Sequence, residues 1–136
     1  MKSSLESLCK SFISNRDEIK TAFKMESSLF YPICAVIHIA KRCNANTEKL
    51  KECHEILKQN TGPFSYFRGI SKLVVMSELA VETSPERRLK ESLQVYELLK
   101  KRFVSTEYMP YAAIHISRLV PCERYDEVSE RTRVIY

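Results

Sequence analysis

Residues 84–103 read SPERRLKESLQVYELLKKRF, and this stretch decides the fold class. Ser84-Pro85-Glu86 is typical of a helix start, because serine favours the cap position and proline is tolerated in the first turn. One apolar stripe then recurs at helical spacing, at Leu89, Leu93, Tyr96, Leu99 and Phe103. The stretch therefore predicts an amphipathic helix with one face on a core.

The same helical spacing of apolar residues recurs on both sides of this stretch. It predicts further helices over residues 4–24, 29–43, 47–60, 65–81 and 107–119, and a last one from Pro121 to the end. Ser14-Asn15 predicts a break in the first helix, with Asn15 capping its second part. The last helix carries the stripe Tyr125, Val128, Thr132 and Ile135.

Two of these segments are expected to be central. Residues 29–43 are apolar on nearly every side, which predicts a helix buried all round. Residues 65–81 predict a second buried helix that starts at Ser65, with Gly69 allowing a close neighbour. The charged helices at 47–60 and 85–102 should cover this apolar layer and face water.

The composition agrees with an all-α fold. The chain has 136 residues but only two glycines, too few for the turns of a β-sandwich or for a nucleotide-binding α/β fold. Its length and 44% apolar content predict one domain over residues 1–136. The last helix has no stop signal, which leaves open that this domain is the N-terminal part of a longer architecture.

A loose internal repeat alternates apolar and charged helices. Ile37-His38-Ile39 is echoed by Ile114-His115-Ile116, and Leu50-Lys51-Glu52 by Leu89-Lys90-Glu91. The first pair of segments lies 77 residues apart and the second pair 39 residues apart. These distances approximate two copies and one copy of a unit whose length is near that of helical-hairpin repeats. We therefore predict antiparallel helical hairpins, arranged either as an α-α superhelix or as an irregular helical bundle.

The charge pattern argues against nucleic acid as a partner. The net charge is +5, but basic and acidic residues are interspersed along the chain. The only tight basic run, Lys100-Lys101-Arg102, falls at a predicted helix C-terminus, where cations complement the helix dipole. Weak nucleic-acid binding through a basic surface is kept as an alternative function.

The cysteines and the N-terminus indicate a cytoplasmic location. Five cysteines are an odd number and form no CxxC pair. Residues 1–16 are amphipathic rather than a secretory signal, and no stretch is apolar enough to span a membrane. Free thiols without such a signal fit a reducing compartment.

Several segments resemble a bacterial family of unknown function. They are Arg16-Asp17-Glu18-Ile19-Lys20-x-x-Phe23-Lys24-x-Glu26, Pro63-Phe64-Ser65-x-Phe67-Arg68-Gly69, Ser84-Pro85-Glu86, Tyr96-Glu97-x-Leu99-Lys100 and Tyr108-x-Pro110-x-Ala112-Ala113. The resemblance runs from about residue 15 to the end, and it implies that the chain matches the N-terminal half of longer members. It implies a helical cytoplasmic protein and supplies no activity.

One constellation has the residue types of an active site. Cys34 and His38 share a helix face at spacing i, i+4, and His115 occupies the matching position in the repeat. Convergence of these three would form an enzyme or small-molecule site. Cys43 and Cys53-His54 lie nearby in sequence, but no standard ligand spacing appears, so we expect no metal and no cofactor.

The loop 61–69 is the other candidate, because aromatic residues, an arginine and turn residues coincide there. Ser65 and Arg68 could form a binding edge for a carboxylate or phosphate. The favoured interpretation is structural, with Phe64, Tyr66 and Phe67 wedging two helical hairpins together.

These observations favour a non-catalytic helical binding or scaffold module over an enzyme. Stacked helical hairpins offer grooves to proteins or peptides, which makes such a partner the first expectation. The apolar end Val134-Ile135-Tyr136 predicts a homodimer through the C-terminal helix. An enzyme site at Cys34, His38 and His115 is kept as the second hypothesis.

Overall fold

The computed structural model describes residues 2–135, and in this range the chain is all-helical, with no strand. The all-α prediction is confirmed. The helices are α1 (Lys2–Ala22), α2 (Phe30–Ala40), α3 (Thr47–Asn60), α4 (Lys72–Ala80), α5 (Pro85–Lys100), α6 (Met109–Leu119) and α7 (Tyr125–Ile135), with 3-10 turns at Tyr66–Arg68 and Cys122–Arg124. The side chain of Ile135, which ends the predicted stripe, and residue Tyr136 of the predicted apolar end lie outside the described residues.

Helix α4 is the centre of the bundle. It contacts α2, α3, α5 and α6, and every residue from Leu73 to Leu79 is buried. Helices α1 and α2 pack as one hairpin, and α5 and α6 pack as another. Helix α7 closes the bundle against α5 and α6, with Tyr125 buried. The predicted helical hairpins thus surround one short apolar helix.

The predicted break at Ser14-Asn15 is wrong, because α1 runs without interruption from Lys2 to Ala22. Asn15 is 3% exposed and does not cap a helix. Its side-chain oxygen accepts a hydrogen bond from the backbone N–H of Ala45 at 2.9 Å, and its amide donates to the Cys43 carbonyl at 3.5 Å. The asparagine therefore holds the loop between α2 and α3 against α1.

The predicted helix over 65–81 begins later than expected, at Lys72. The Ser65 hydroxyl accepts from the backbone N–H of Phe67 at 3.2 Å, which starts a 3-10 turn instead of an α-helix. Gly69 then takes an extended conformation and ends that turn. A Cβ on Gly69 would lie 3.3 Å from the Tyr66 carbonyl oxygen. The absence of a side chain at Gly69 therefore accommodates the backbone of its own 3-10 turn, and not a neighbouring helix as predicted.

Helix α2 is not buried on all sides, contrary to the prediction. Tyr31, Cys34, Ala35 and His38 face the core, but Leu29, Ile33 and Val36 are 74%, 47% and 54% exposed. Between Phe30 and Ala40 the helix contains no aspartate, glutamate, lysine or arginine. The outer face of α2 is therefore apolar and open to solvent.

None of the helices that the structure describes has the length and the apolar content needed to cross a membrane.

Replacing Asn15 by alanine should destabilise the fold. The Asn15→Ala variant leaves the Ala45 N–H and the Cys43 carbonyl without their partner, which costs about 1–3 kcal/mol of unfolding free energy. Urea denaturation followed by circular dichroism measures this loss. Ser14→Ala, at the exposed neighbouring position, is the matched control and should change stability by no more than about 0.5 kcal/mol. Equal stability of the two variants would contradict the role of Asn15.

Candidate functional site

A partly buried ionic network joins the three helices α4, α5 and α6. At its centre is Glu78 of α4, which is 7% exposed. The Arg118 guanidinium of α6 donates to a Glu78 carboxylate oxygen, and also to the Glu78 carbonyl oxygen at 2.7 Å. Its Nε donates to Oε1 of Glu82 at 2.6 Å. Arg118 thus balances the negative charges of two carboxylates, one on α4 and one just after its C-terminal end.

The network continues into α5 through Arg88. The Nε of Arg88 donates to Glu82 at 3.1 Å, and its Nη1 donates to Glu91 at 3.1 Å and to the Ser117 hydroxyl at 3.2 Å. The Ser117 and Ser92 hydroxyls are in turn 3.2 Å apart. Because each of these carboxylates is held by an arginine, the geometry is that of an interhelical clamp rather than of a general acid or base.

Cys34 and His38 lie beside this network but inside the core. Cys34 is fully buried and His38 is 2% exposed. Burial raises the pKa of the Cys34 thiol to about 11, against a smaller opposing effect of the Ser77 hydroxyl. The His38 Nδ1–H donates to the Cys34 carbonyl at 2.9 Å, and burial lowers the pKa of His38. The thiol and the imidazole are therefore both neutral near pH 7.

His115 does not complete a triad with these two residues. Its ring is 57% exposed, and its Nε2 lies 4.0 Å from Oε1 of Glu78. The charge of Glu78 also acts on Cys34 and His38 from the core side. The three sequence candidates thus surround one carboxylate, but only His115 is accessible from solvent.

No group of three or more His, Cys, Asp or Glu side chains that could hold a metal ion occurs among residues 2–135. Cys53 is buried on α3, and burial raises its pKa to about 12. Burial, followed by the positive charges of Lys58 and Lys72, lowers the pKa of the neighbouring His54. Both side chains have the environment of structural residues.

The loop 61–69 uses its polar side chains to hold its own conformation. Ser65 caps the 3-10 turn, and a guanidinium nitrogen of Arg68 donates to the Thr61 carbonyl at 3.3 Å. Phe67 alone of the three aromatic residues forms the predicted wedge; it is fully buried, and its ring lies edge-on to Tyr96 at 5.2 Å between centroids.

Phe64 and Tyr66 do not contribute to that wedge, because they are 98% and 42% exposed. They flank Ser65 on the surface of the loop. The predicted wedge of three aromatic rings is therefore corrected to one buried ring with two rings facing solvent.

Two apolar cavities flank Tyr108, which is 70% exposed at the start of α6. The first has a volume of about 340 Å³ and is lined by Leu99, Phe103, Val104, Thr106, Tyr108, Met109, Ala112, Ile116 and Thr132. The second has a volume of about 360 Å³ and is lined by Phe30, Ile33, Ile70, Ser71, Val74, Glu107, Tyr108 and Tyr111. We call the two cavities together the Tyr108 groove.

The polar groups of the Tyr108 groove are mostly satisfied internally. The Thr132 hydroxyl donates to the Val128 carbonyl at 2.8 Å, and the Tyr111 hydroxyl donates to the Ser71 carbonyl at 3.0 Å. Glu107 has no ion-pair partner among the residues that the structure describes. The groove therefore presents apolar walls with one unpaired carboxylate.

Sequence reasoning missed this groove, since its lining comes from α2, α4, α5, α6, α7 and the α5–α6 loop. One feature of the sequence could have indicated it. Three large apolar or aromatic residues lie in the loops before α4 and α6 and are exposed to solvent: Ile70, Val104 and Tyr108. Periodicity within single helices does not reveal where such loops meet.

Comparison with known proteins places the chain in a family. The model of the family described as protein of unknown function (DUF4003) matches residues 15–136, which is most of the chain. No similar curated protein and no similar solved structure was found. The chain therefore belongs to the DUF4003 family, as the resemblance from residue 15 onward indicated.

Removing the central cation of the ionic network should destabilise the protein strongly. Arg118→Met leaves the buried carboxylate of Glu78 without its arginine, whereas Glu82 keeps Arg88, and an uncompensated buried charge costs about 3 kcal/mol or more. Thermal and urea unfolding measure the effect. Arg131→Met, in an exposed pair with Glu127, is the matched control and should cost at most about 1 kcal/mol. A small effect of Arg118→Met would show that the network is dispensable.

The stability should fall as the pH is lowered below about 6.5. Burial holds the pKa of His38 below its ordinary value of 6.5, so the unfolded chain binds a proton at a higher pH than the folded one. Urea midpoints between pH 7.5 and pH 5 would show the loss. The His38→Gln variant should show a weaker dependence of the urea midpoint on pH. Adding His54→Gln should weaken this dependence further, because burial lowers the pKa of His54 too. An unchanged slope in His38→Gln would contradict this assignment.

Proposed function

We propose that this member of the DUF4003 family is a non-catalytic binding module, and that the Tyr108 groove receives an apolar segment of a protein partner. The single observation behind the proposal is the pair of adjacent apolar cavities, of about 340 and 360 Å³, on either side of an exposed tyrosine. Cavities of this size with few polar groups are typical of sites for apolar ligands or side chains.

A protein segment fits the groove better than a small polar substrate. An amphipathic helix presents apolar anchors along one face and can place one anchor in each of two neighbouring cavities. Tyrosine is enriched at such interfaces because it contributes a large contact area with little conformational entropy. The single carboxylate of Glu107 then favours a segment that carries a lysine or arginine beside its anchors.

The Ser65 and Arg68 edge belongs to this proposal as a support of the groove. Their hydrogen bonds hold the turn that precedes Ile70, and Ile70 lines the second cavity at 72% exposed. The exposed rings of Phe64 and Tyr66 extend the apolar surface along this turn.

The enzyme hypothesis has weaker support. Nucleophilic catalysis needs an activated thiolate with a base in reach of substrate. Cys34 and His38 are closed off in the core, and the raised pKa of Cys34 keeps the thiol protonated. Nucleic-acid binding is disfavoured as well, because arginines 88, 102 and 118 are each engaged with carboxylates. A cytoplasmic location agrees with the free cysteines.

Selection from a random peptide library displayed on phage tests the proposal. We expect enriched peptides with apolar residues at helical spacing, and synthetic copies of them should bind the protein in fluorescence titrations. Ala112→Arg places a long side chain at an exposed wall of the first cavity, and it should weaken binding by about tenfold or more.

Gln94→Arg is the matched control, since it adds the same charge to an exposed position on α5 outside both cavities. It should leave peptide affinity unchanged. Failure to enrich any peptide, or equal binding by the two variants, would remove the groove from the proposed function.

A further inference from the structure

The second cavity of the Tyr108 groove differs from the first in its aromatic and charged lining. Its walls include one carboxylate, that of Glu107, and three aromatic rings, those of Phe30, Tyr108 and Tyr111. The first cavity has the rings of Phe103 and Tyr108 and no charged residue. The two cavities therefore favour different ligand chemistry.

The carboxylate of Glu107 is not compensated within the described chain. The residue is partly buried, and its side chain has neither an ion-pair nor a hydrogen-bond partner among residues 2–135. No lysine, arginine or histidine that the structure describes lines the second cavity. By contrast, the carboxylate of Glu78 is paired with Arg118. A partly desolvated negative charge without a partner favours a cation that is supplied by the ligand.

The charge of Glu107 acts on the aromatic wall of the cavity. The Tyr111 hydroxyl donates to the Ser71 carbonyl at 3.0 Å, which holds this ring in place. Burial raises the pKa of Tyr111, and the negative charges of Glu107 and Glu78 raise it too, against the opposing effect of the hydrogen bond to Ser71. Two carboxylates thus act on a ring that lines the cavity, with the sign that favours a cation.

The aromatic rings of the cavity are not engaged with a cation of the chain itself. Among residues 2–135 the cation–π contacts are those of Arg16 with Phe12 and of Lys100 with Tyr96. Aromatic rings attract organic cations, and cages of such rings bind methylated ammonium groups. An unsubstituted ammonium group would lose its strong hydration here, because the lining is mostly apolar. The cavity thus favours an ammonium group that carries alkyl substituents.

We propose that the second cavity binds the methylated ammonium group of a lysine side chain on the partner segment. The apolar part of the lining includes Ile33, Ile70 and Val74. It contacts the four-carbon stem of the lysine, and the charge lies beside Glu107. Because Tyr108 lines both cavities, one segment can place this lysine in the second cavity and an apolar anchor in the first. The inference rests on the proposed binding role of the groove and names the group that enters its second cavity.

Choline and its uncharged isostere 3,3-dimethylbutan-1-ol test the chemistry of the cavity without a peptide. Titrations of the full chain followed by NMR measure the affinity for each compound. We expect choline to bind about fivefold more tightly or better, because only the cation is attracted by the rings and by Glu107. Equal binding of the two compounds, or no binding of choline, overturns the inference.

Two variants locate the choline site. Glu107→Gln and Tyr108→Leu should each weaken choline binding about threefold or more. Glu107 has no side-chain partner and Tyr108 is 70% exposed, so both variants should keep the unfolding midpoint. Glu6→Gln is the matched control, since it removes an exposed, unpaired carboxylate on α1 outside both cavities. Equal affinity of Glu107→Gln and Glu6→Gln for choline contradicts the assigned site.

Three versions of one selected peptide test whether the ammonium group belongs to the partner segment. At the basic residue beside the anchors they carry trimethyllysine, lysine, or the uncharged isostere in which carbon replaces the ammonium nitrogen. We expect the trimethyllysine peptide to bind about fivefold more tightly than the uncharged one, and Glu107→Gln should remove this difference. Equal affinities of the three peptides overturn the partner lysine, and choline binding then assigns the cavity to a free ammonium compound.

The outcomes separate this inference from the proposed function. Peptides that bind and are lost in Ala112→Arg, without discrimination between choline and its isostere, overturn the inference while the proposed function stands. Discrimination in favour of choline without any enriched peptide overturns the proposed function, and with it the partner lysine.

Discussion

The ion pair between Glu78 and Arg118 is the constraint on which the arrangement of the helices depends. Helix α4 is the most buried element, and a carboxylate on it must be compensated inside the protein. Among residues 2–135 the arginine that pairs with this carboxylate comes from α6, so α6 must lie beside α4 in one register. Arg88 then ties α5 to the same end through Glu82. The paired charges thus add to apolar packing a second requirement that these three helices meet in one register.

Burial in the same bundle explains why Cys34 and His38 are unreactive. Both side chains lie in the core within the electrostatic influence of Glu78, and burial keeps both neutral near pH 7. An active site would need solvent access at this point, and opening it would expose α4. Catalysis by these two residues would therefore oppose the stability of the bundle.

The periodic helices could be predicted from sequence, because a stripe such as that of α5 depends only on local spacing. The start of α4 could not, since Ser65 is able to cap either a 3-10 turn or an α-helix and Gly69 decides between them through its contact with Tyr66. Asn15 was misjudged for a related reason: its polar side chain serves a loop that is 28 to 30 residues away. The Tyr108 groove depends on how loops from several helices meet, which no single-helix pattern contains.

Helix α2 connects the fold to the proposed function. Its sequence has the composition of a fully buried helix, yet the described chain covers only the face that carries Cys34 and His38. The apolar residues of the other face are only partly exposed, so burying them against a partner would contribute a part of the about 1.5–3 kcal/mol that full burial of such a side chain contributes. The exposed face of α2 is therefore consistent with the proposed binding role. The Tyr108 groove continues from this face, because Phe30 and Ile33 line its second cavity.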